Sequence, residues 1–194
     1  WQDAGQLSDD IVWSRLLKSF DAGQRLLMDH VAKWASPELA PWTDKLLAAY
    51  RQPERIRQLA LTAGKPYSAD IASHGLALLA RYQPLQALQF WNEFQGELSF
   101  DAQQVRQVEY AIALNGLFAR EQELASWLPA ALGRLQDDKL VEIRLRWALA
   151  EQDWAAIEQT MPLLSAAAQE ADVWRYWRAR MLYLRDRAAE ADAI

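Results

Sequence analysis

The stretch "LARYQPLQALQFW" (79–91) closes one apolar run, passes a short polar turn and opens a second run rich in leucine and alanine. Pro84 stands at the start of the second run. Proline is favoured in the first turn of a helix because its missing N–H leaves no intrahelical bond unmade there. Leucine and alanine have high helix propensity. The stretch therefore predicts two helices joined by a tight turn.

Three more stretches share this design, namely "FAREQELASWL" (118–128), "LAEQDWAAIEQ" (149–159) and "YLRDRAAEADA" (183–193). The four stretches begin 39, 31 and 34 residues apart, and such periods are typical of two-helix units that stack into a solenoid. The spacing is irregular and the tetratricopeptide (TPR) consensus is not kept, so we interpret the units as degenerate TPR-like repeats. We expect an all-α fold, a right-handed α-superhelix (solenoid) forming a single domain over 1–194, with repeat units at roughly 68–95, 101–135, 138–160 and 166–194.

Helix signals support this interpretation along the whole chain. Valine, isoleucine and threonine are sparse, and no run alternates apolar and polar residues for long enough to form a strand. Start signals include Ser36 followed by Pro37, the capping-box-like pair Asp101 and Gln104, and Pro53. The predicted helices are roughly 8–20, 22–35, 37–50, 53–63, 68–81, 84–95, 101–119, 121–135, 138–151, 153–160, 166–185 and 187 onward. A compact helical bundle is the alternative architecture, but many helices with short local connections favour the solenoid.

Charge and residue types exclude several classes of function. The chain has 21 Lys and Arg against 26 Asp and Glu, a net charge of −5, which argues against a general nucleic-acid binder because such proteins need excess positive charge. The absence of cysteine removes disulfides, thiolate nucleophiles and Cys-based zinc sites. No apolar run approaches the roughly 18 residues of a membrane span. The ends "WQDAGQ", without an initiator Met, and "AAEADAI", within a helical pattern, lead us to expect a segment of a longer protein.

We find no catalytic, metal or cofactor motif in the sequence. His30 and His74 have no partner at metal-ligand spacing and lie in no H-E-x-x-H motif. Lys65 follows a glycine, but Leu59 stands where a phosphate-binding loop needs another glycine. Acidic residues lie at helix starts and on polar faces, which the helix dipole explains without catalysis. We therefore predict no catalytic residue, no metal and no cofactor.

The segment "DVWRYWRARMLYL" (172–184) concentrates aromatic and arginine side chains, which can bind sugars or bases but can also fill a helix interface. Most of them fall in two neighbouring stripes at helical spacing. These are Trp174, Trp177, Met181 and Leu184 in the first stripe, and Val173, Tyr176, Arg180 and Tyr183 in the second. We expect a wide apolar sector that packs on more than one side, with Arg175, Arg178 and Arg185 outside it or at its edges. Arg180, within the second stripe, would need a carboxylate partner or a path to water.

This segment, together with "RLRWALAEQDWAAIEQTMPLL" (144–164), resembles the soluble lytic transglycosylases of Gram-negative bacteria. In that family an Arg-containing helix, an x-D-W turn, a Met-Pro break and a W-R-Y-W-x-A-R helix follow one another in this order. The matching residues are Asp153, Trp154, Met161, Pro162, Trp174, Tyr176, Trp177 and Arg180. The resemblance is sharp over roughly 140–185 and less specific in the segments 100–116 and 11–26.

The resemblance implies a role without chemistry for this chain. In that family an N-terminal helical superhelix curls into a ring, and a separate C-terminal lysozyme-like domain holds one catalytic Glu near Glu-Ser and Gly-Leu-Met-Gln motifs. That Glu cleaves the MurNAc–GlcNAc linkage of peptidoglycan and leaves a 1,6-anhydro-MurNAc end. Neither motif occurs here, so no catalytic residue carries over to any position of this chain.

We therefore expect a non-catalytic superhelical scaffold from a periplasmic soluble lytic transglycosylase. The expected partners are the catalytic C-terminal domain of the same polypeptide and, through the parent protein, peptidoglycan, with no nucleic acid and no membrane span. One alternative is a TPR-like protein–protein interaction module unrelated to the cell wall. Another is an all-helical carbohydrate-active enzyme that uses two of the carboxylates, although no pair stands out by its spacing.

Overall fold

The structure, a computed structural model, describes residues 8–194, and every regular element in that range is a helix, which confirms the predicted all-α class. Contacts divide the chain into two compact units, with unit 1 ending at Ile112 and unit 2 beginning at Ala113. The predicted single domain and its repeat units stay predictions. No helix among the described residues is long and apolar enough to cross a membrane.

Unit 1 contains five helices and the first part of a sixth. They are α1 (Asp9–Asp21), α2 (Arg25–Val31), α3 (Ala40–Arg51), α4 (Ser68–Ala80), α5 (Pro84–Glu97) and the start of α6 (Ala102–Ala119). Unit 2 contains the rest of α6 and six further helices. These are α7 (Leu128–Leu135), α8 (Asp138–Glu151), α9 (Trp154–Thr160), α10 (Ala166–Gln169), α11 (Asp172–Tyr183) and α12 (Ala188–Ala191).

Short 3-10 helices replace α-helix at several predicted positions. They span Ala32–Trp34, Pro53–Leu59, Gln122–Leu124 and Met161–Leu163. The α-helix predicted over 53–63 is therefore wrong in type and length. A 3-10 helix places residues three apart on one face, and here it buries Pro53 and Ile56 together. It ends before Ala60, whose left-handed backbone (φ 50°) cannot continue a helix.

Two other predicted bounds also differ from the structure. The helix predicted over 37–50 begins at Ala40, after a turn in which Ser36 Oγ accepts the N–H of Leu39 at 3.1 Å. The helix predicted over 166–185 is split into α10 and α11, because Ala171 has an extended backbone with ψ 136°. This break redirects the chain and allows α11 to place Trp174 against α8.

The core of unit 1 is centred on α4. Nine of its 13 residues are buried, so α4 is covered on more than one side, and α1, α3 and α5 all contact it. The 3-10 helix Pro53–Leu59 also contacts α4 at Gly75, where a Cβ would lie 2.4 Å from Cδ1 of the buried Ile56 and would force that side chain to shift. The missing side chain allows the 3-10 helix Pro53–Leu59 to approach α4 closely.

The core of unit 2 forms on α8, which contacts α9 and the 3-10 helix that follows it. Val141, Leu145 and Trp147 are buried along α8, and Ile157 is buried on α9. The guanidinium of the buried Arg144 lies over the Trp147 ring, 4.4 Å from its centroid. Burial lowers the pKa of Arg144 from its usual value, and the ring face partly compensates for the lost hydration.

The same aspartate–serine contact occurs once in each unit. The N–H and Oγ–H of Ser36 donate to Asp9 at 3.2 and 2.6 Å, and those of Ser165 donate to Asp138 at 2.7 and 2.6 Å. In both cases the serine lies 27 residues after the aspartate. Each serine Oγ also accepts an N–H three residues further on, at 3.1 and 3.2 Å. The contact therefore joins the start of one helix to the N-terminal cap of a later turn.

Between the aspartate and the serine, both copies run in the order helix, left-handed residue, helix and 3-10 helix. The left-handed residue is Gly23 (φ 68°) in unit 1 and Gln152 (φ 56°) in unit 2. We name residues 9–51 of unit 1 and 138–185 of unit 2 the equivalent segments, because each continues from its serine into one long helix, α3 or α11.

Two of the predicted helix starts are confirmed, one by a capping box and one by the position of a proline. Asp101 and Gln104 form a reciprocal capping box, with each backbone N–H donating to the other side chain at 2.9 and 2.8 Å. Pro84 occupies the first turn of α5. These local signals were readable because cap chemistry depends on residues only three apart.

Candidate functional site

The residues that carry the family resemblance all lie in unit 2, close to α9 and α11. Asp153 caps α9, where its Oδ1 accepts the N–H of Ala156 at 3.0 Å. Trp154 is the first residue of α9 and is 39% exposed. Met161 is buried at the start of the 3-10 helix, and Pro162 follows it. The x-D-W and Met-Pro elements of the sequence thus correspond to a helix start and a 3-10 helix.

Trp174 is the main packing residue of α11 and is almost completely buried. Its Nε1 donates to Glu142 at 3.4 Å, and the Arg146 guanidinium lies 5.8 Å from its ring centroid. Trp177 is half-buried and contacts the Tyr176 ring edge-on, with a centroid distance of 5.3 Å. The aromatic cluster of α11 therefore divides into one buried ring, one half-buried ring and an exposed remainder.

The predicted wide apolar sector of α11 is wrong. The second stripe is exposed at all four positions, with Tyr176 61% exposed, and Leu184 of the first stripe is exposed as well. The side chain of Arg180 is exposed and makes no hydrogen bond or ion pair among residues 8–194, so its charge reaches water and not a carboxylate. The buried side runs instead through Trp174, Arg178 and Met181, at spacings of four and three residues. Both spacings fit a helix, so the sequence pattern alone could not decide between these faces.

A groove lies between α9 with its 3-10 helix and α11. One cavity of about 320 Å³ is lined by residues that include Glu158, Met161, Pro162, Arg178, Met181, Leu182, Arg185 and Arg187. An adjoining cavity of about 260 Å³ is lined by Trp154, Met181, Leu184 and Arg185. Because the two cavities share Met181 and Arg185, we treat them as one site and name it the α9–α11 groove.

The groove combines apolar and charged side chains. Met161, Pro162, Met181 and Leu182 supply apolar surface. Three arginines and a single glutamate, Glu158, supply the charge. Each of the three arginines has a glutamate within 4.0 Å, namely Glu170, Glu158 or Glu190, so the charges at the groove are balanced.

Two of the three arginines in the groove already hold a carboxylate. Arg185 donates from both terminal nitrogens to the two oxygens of Glu158. This contact holds the pKa of Glu158 below its usual range and raises that of Arg185. Arg187 donates from Nε to Glu190 at 2.6 Å. Both pairs are exposed, so water and salt weaken them.

Arg178 differs from the other two arginines because its bonding capacity is unused. Its Nη2 is 3.8 Å from Glu170, which is too long for a hydrogen bond. Its Nε is buried and has no hydrogen-bond partner. A buried donor without a partner is costly.

Unit 1 contains a cavity of about 340 Å³ whose lining includes Tyr50, Arg51 and Tyr82. Away from that cavity, several polar side chains of unit 1 form internal contacts. Asp70 accepts from Trp13 Nε1 and from Gln104 Nε2, both at 2.7 Å. His74 Nδ1 lies 2.7 Å from an oxygen of Asp21. These side chains join α1, α4 and α6, and their polar atoms are engaged in packing contacts. Within the described part of the chain, no group of three or more His, Cys, Asp and Glu residues could hold a metal ion.

Sequence reasoning placed Trp154, Met161 and Pro162 correctly on helix ends but did not detect the groove between them and α11. Glu158 lies four residues after Trp154 and Arg185 lies four after Met181, so helical spacing could have grouped each pair. Which helices face each other across a gap is a tertiary property, and a single sequence contains no direct signal for it.

Several curated proteins that share one name are similar to this chain, and the similarity to one of them extends over the whole chain. No protein-family profile matches it. A soluble lytic murein transglycosylase from Escherichia coli K12 is 24% identical over 197 residues, an alignment that covers 100% of this chain and 30% of that protein. One from Salmonella typhimurium is 40% identical over 70 residues, which cover 36% of this chain and 11% of that protein. The chain thus spans less than a third of the curated relatives it matches.

Solved structures of the same kind share the fold. The crystal structure of the 70 kDa soluble lytic transglycosylase from Escherichia coli has a TM-score of 0.78 at 23% identity, covering 98% of this chain and 31% of that one. An inactive mutant of lytic transglycosylase Slt from Pseudomonas aeruginosa has a TM-score of 0.74 at 26% identity, covering 95% of this chain and 30% of that one. The resemblance inferred from the sequence is therefore confirmed.

Proposed function

We propose that this chain is the helical scaffold segment of a periplasmic soluble lytic transglycosylase and has no catalytic activity of its own. The parent enzyme cleaves the MurNAc–GlcNAc linkage of peptidoglycan and forms 1,6-anhydro-MurNAc ends during cell-wall turnover. The segment belongs to a superhelix that positions the catalytic domain of the same polypeptide and shapes access to glycan strands. An extended curved helical array offers a long surface for such a polymer.

The whole-chain similarity to soluble lytic murein transglycosylases carries this proposal. It extends from one end of the chain to the other in sequence, and two solved transglycosylases share the fold over at least 95% of it. A similarity confined to the short aromatic motif would support only a common helix. Similarity over the full length supports a common position in a larger protein.

The carboxylates near the resemblance motifs support a non-catalytic role. A glycosidase needs a general acid whose pKa is raised so that it holds a proton near neutral pH. Glu158, the only carboxylate lining the larger cavity, has a lowered pKa because Arg185 donates to it. Asp137, Asp138 and Asp153 are engaged at helix starts by backbone N–H groups or by serine. None of these four carboxylates has the environment of a catalytic acid.

Incubation with purified peptidoglycan sacculi tests the proposal. We expect the purified chain to release no anhydro-muropeptides above a blank, whereas the protein encoded by the complete gene releases them. We also expect that gene to encode a Glu-Ser and a Gly-Leu-Met-Gln motif outside this chain. Release of anhydro-muropeptides by the chain alone would contradict the non-catalytic role, and a complete protein without activity or motifs would contradict the parent enzyme.

A TPR-like protein–protein interaction module unrelated to the cell wall is the second candidate function. The open α9–α11 groove favours it, because an apolar groove with charged sides can also hold a peptide. The two functions predict different partners. Sedimentation of the chain with intact sacculi supports the scaffold, while retention of the chain only by a protein ligand supports the interaction module.

A further inference from the structure

Unit 2 repeats the helix order of unit 1 as far as its last long helix. In unit 1 the 3-10 helix Pro53–Leu59 and then α4 follow α3, and both of them contact it. In unit 2, α12 follows α11 and contacts it, as the 3-10 helix contacts α3. No helix follows α12 within residues 8–194, so nothing there takes the place of α4.

The ion pairs at the ends of α3 and α11 set the register between these two helices. Arg51 pairs with Asp29 on α2, and Arg185 pairs with Glu158 on α9. Positions 12, 9, 5 and 2 residues before each arginine lie along one side of the helix, because their spacings of three and four residues fit a helix face. They are Leu39, Trp42, Leu46 and Ala49 in unit 1, and Val173, Tyr176, Arg180 and Tyr183 in unit 2. We name the second set the α11 stripe.

The matching side of α3 is covered by α4. Three of its four residues are at most 1% exposed. A Cβ on Gly75 of α4 would lie 3.4 Å from the Cβ of Ala49, so α4 passes directly over this side of α3. The ring of Trp42 lies 6.1 Å from the ring of Tyr67, the residue before α4. In unit 1 these positions therefore form a face on which the next helix docks.

The α11 stripe has the side chains of a packed face but is open to solvent. Tyr176 is 61% exposed, and Val173 and Tyr183 are each 47% exposed. The hydroxyl group of Tyr183 donates to Asp192, which fixes the position of the ring. A row of large apolar side chains at helical spacing is typical of a helix side that is buried. The stripe is therefore a docking face without a cover among the described residues.

From these observations we propose that the α11 stripe is the docking face for a later helix of the same polypeptide, equivalent to α4. In unit 1, α4 begins 17 residues after Arg51, and the same distance from Arg185 reaches position 202, beyond Ile194. This chain spans 30% of the Escherichia coli relative, so a protein of that length has residues to supply the helix. The continuation of the helical array rests on the proposed function. The assignment of the face rests on the comparison between the two units.

Arg180 determines what the covering helix must carry. It stands at the position of Leu46, which is completely buried in unit 1, and its own side chain makes no ion pair among residues 8–194. Covering an unpaired guanidinium group is costly, whereas a carboxylate opposite it compensates for the lost hydration. The covering helix therefore places an aspartate or a glutamate opposite Arg180.

Cysteine labelling of the protein encoded by the complete gene tests the docking face. Tyr183→Cys places a thiol in the α11 stripe, and Arg175→Cys places one at an exposed position of the same helix outside it. The matching position in unit 1, Pro41, is also exposed, so Arg175→Cys is the matched control. In the complete protein we expect a maleimide to modify Tyr183→Cys about tenfold or more slowly than Arg175→Cys. In the 194-residue chain the two rates should be similar, and mass spectrometry of peptides identifies the modified thiol.

Charge reversal at Arg180 tests the expected carboxylate. Arg180→Glu should lower the thermal midpoint of the complete protein, because two carboxylates would face each other in a covered site. The same substitution should leave the midpoint of the 194-residue chain unchanged, since Arg180 is exposed there. Arg175→Glu is the control and should affect the complete protein much less. An unchanged midpoint for Arg180→Glu in the complete protein overturns the expected carboxylate.

The outcomes separate this inference from the proposed function. Equal labelling of Tyr183→Cys and Arg175→Cys in a complete protein that keeps its circular dichroism spectrum overturns the docking face. Protection that is lost on dilution, with a dimer in light scattering, assigns the stripe to a second copy and also overturns the inference. Protection in a monomeric complete protein supports it. A complete protein that protects Tyr183→Cys but releases no anhydro-muropeptides contradicts the proposed function alone.

Discussion

The equivalent segments, residues 9–51 of unit 1 and 138–185 of unit 2, share their local contacts but differ in what covers their last long helix. In both, an aspartate at the start of the first helix binds a serine 27 residues later. The helix that follows the serine in unit 1, α3, is covered by the 3-10 helix Pro53–Leu59 and by α4. In unit 2 the corresponding helix, α11, buries only Trp174 and Met181 and leaves a groove beside α9.

Each segment also has an ion pair between its second helix and the end of its last long helix. Asp29 on α2 pairs with Arg51 at the end of α3, at 2.9 Å. Glu158 occupies the corresponding place on α9 and pairs with Arg185, just after the end of α11. The ion pair is therefore common to both segments, although the residue types and the spacing differ. Short-range contacts can be retained while the packing on the far side of the helix changes.

The first helix of each segment takes part in a tryptophan–carboxylate hydrogen bond, but the partner lies on different elements. In unit 1 the tryptophan, Trp13, lies on the first helix and donates to Asp70 at 2.7 Å. In unit 2 the carboxylate, Glu142, lies on the first helix and accepts from Trp174 at 3.4 Å. The acceptor for a buried indole can therefore come from different helices, whereas the buried Nε1 atoms of Trp91 and Trp147 have no hydrogen-bond partner among the described residues.

The largest expected effect comes from removing either buried indole. Trp13→Ala and Trp174→Ala should each lower the free energy of unfolding by about 3–5 kcal/mol, because both rings fill the core and neither site can collapse fully. Urea denaturation followed by circular dichroism measures this. Tyr176→Ala, at an exposed position on α11, should change the value by less than about 0.5 kcal/mol. An equal loss for Tyr176→Ala would show that α11 is covered on both faces after all.

A smaller effect is expected from removing the serine hydroxyl groups, and it tests whether the two serine contacts contribute equally to stability. Ser36→Ala and Ser165→Ala should each cost about 0.5–2 kcal/mol, since each serine caps a turn and binds an aspartate. Ser14→Ala, exposed on α1, is the control and should be nearly neutral. If only one of the two substitutions lowers the free energy of unfolding, the two serine contacts share their geometry but do not contribute equally to stability.

The third prediction concerns Gly23 and Gln152, the residues with left-handed backbone in the two segments. Gln152→Gly should stabilise unit 2 by roughly 0.5–1 kcal/mol, because glycine adopts a positive φ without steric cost. Gly23→Ala should destabilise unit 1 by about 1 kcal/mol, because alanine is strained at a positive φ. The new Cβ would meet no atom closer than Tyr50 Oη at 3.8 Å, so no steric clash adds to this cost. Thermal denaturation compares the two variants. Shifts of the same sign in both would contradict a backbone origin.

The smallest effect concerns acid stability at Asp138. Hydrogen bonds from Ser165 lower the pKa of Asp138 in the folded chain, so folding favours its ionised form. The resulting stabilisation is present above the usual aspartate pKa of about 4 and is lost as the pH falls through the lower, folded-state value. Asp138→Asn should flatten the fall in stability below about pH 4. Because Asp138 is exposed to solvent, the change should be slight, and an unaltered pH profile would show that the serine contact is not linked to ionisation.

Much of the local structure could be predicted from the sequence because its determinants lie within a few residues of each other. The capping box of Asp101 and Gln104 and the cap at Asp153 are contacts over three residues. Pro84 marks the start of α5 for a similarly local reason. The type of the helix over Pro53–Leu59 was missed, since its 3-10 winding depends on burial of Ile56 against a glycine of α4.

The amino-acid sequence by itself determined the helices, their caps and the resemblance to soluble lytic transglycosylases, because propensity, capping and motif order are written in neighbouring residues. Tertiary packing places Arg178 in the lining of the groove between α9 and α11 and leaves Arg180 exposed to solvent. The physical reason is that positions three and four residues apart share a helix face equally well. The choice between them depends on which neighbouring helix buries the face, and residues distant in sequence supply that helix.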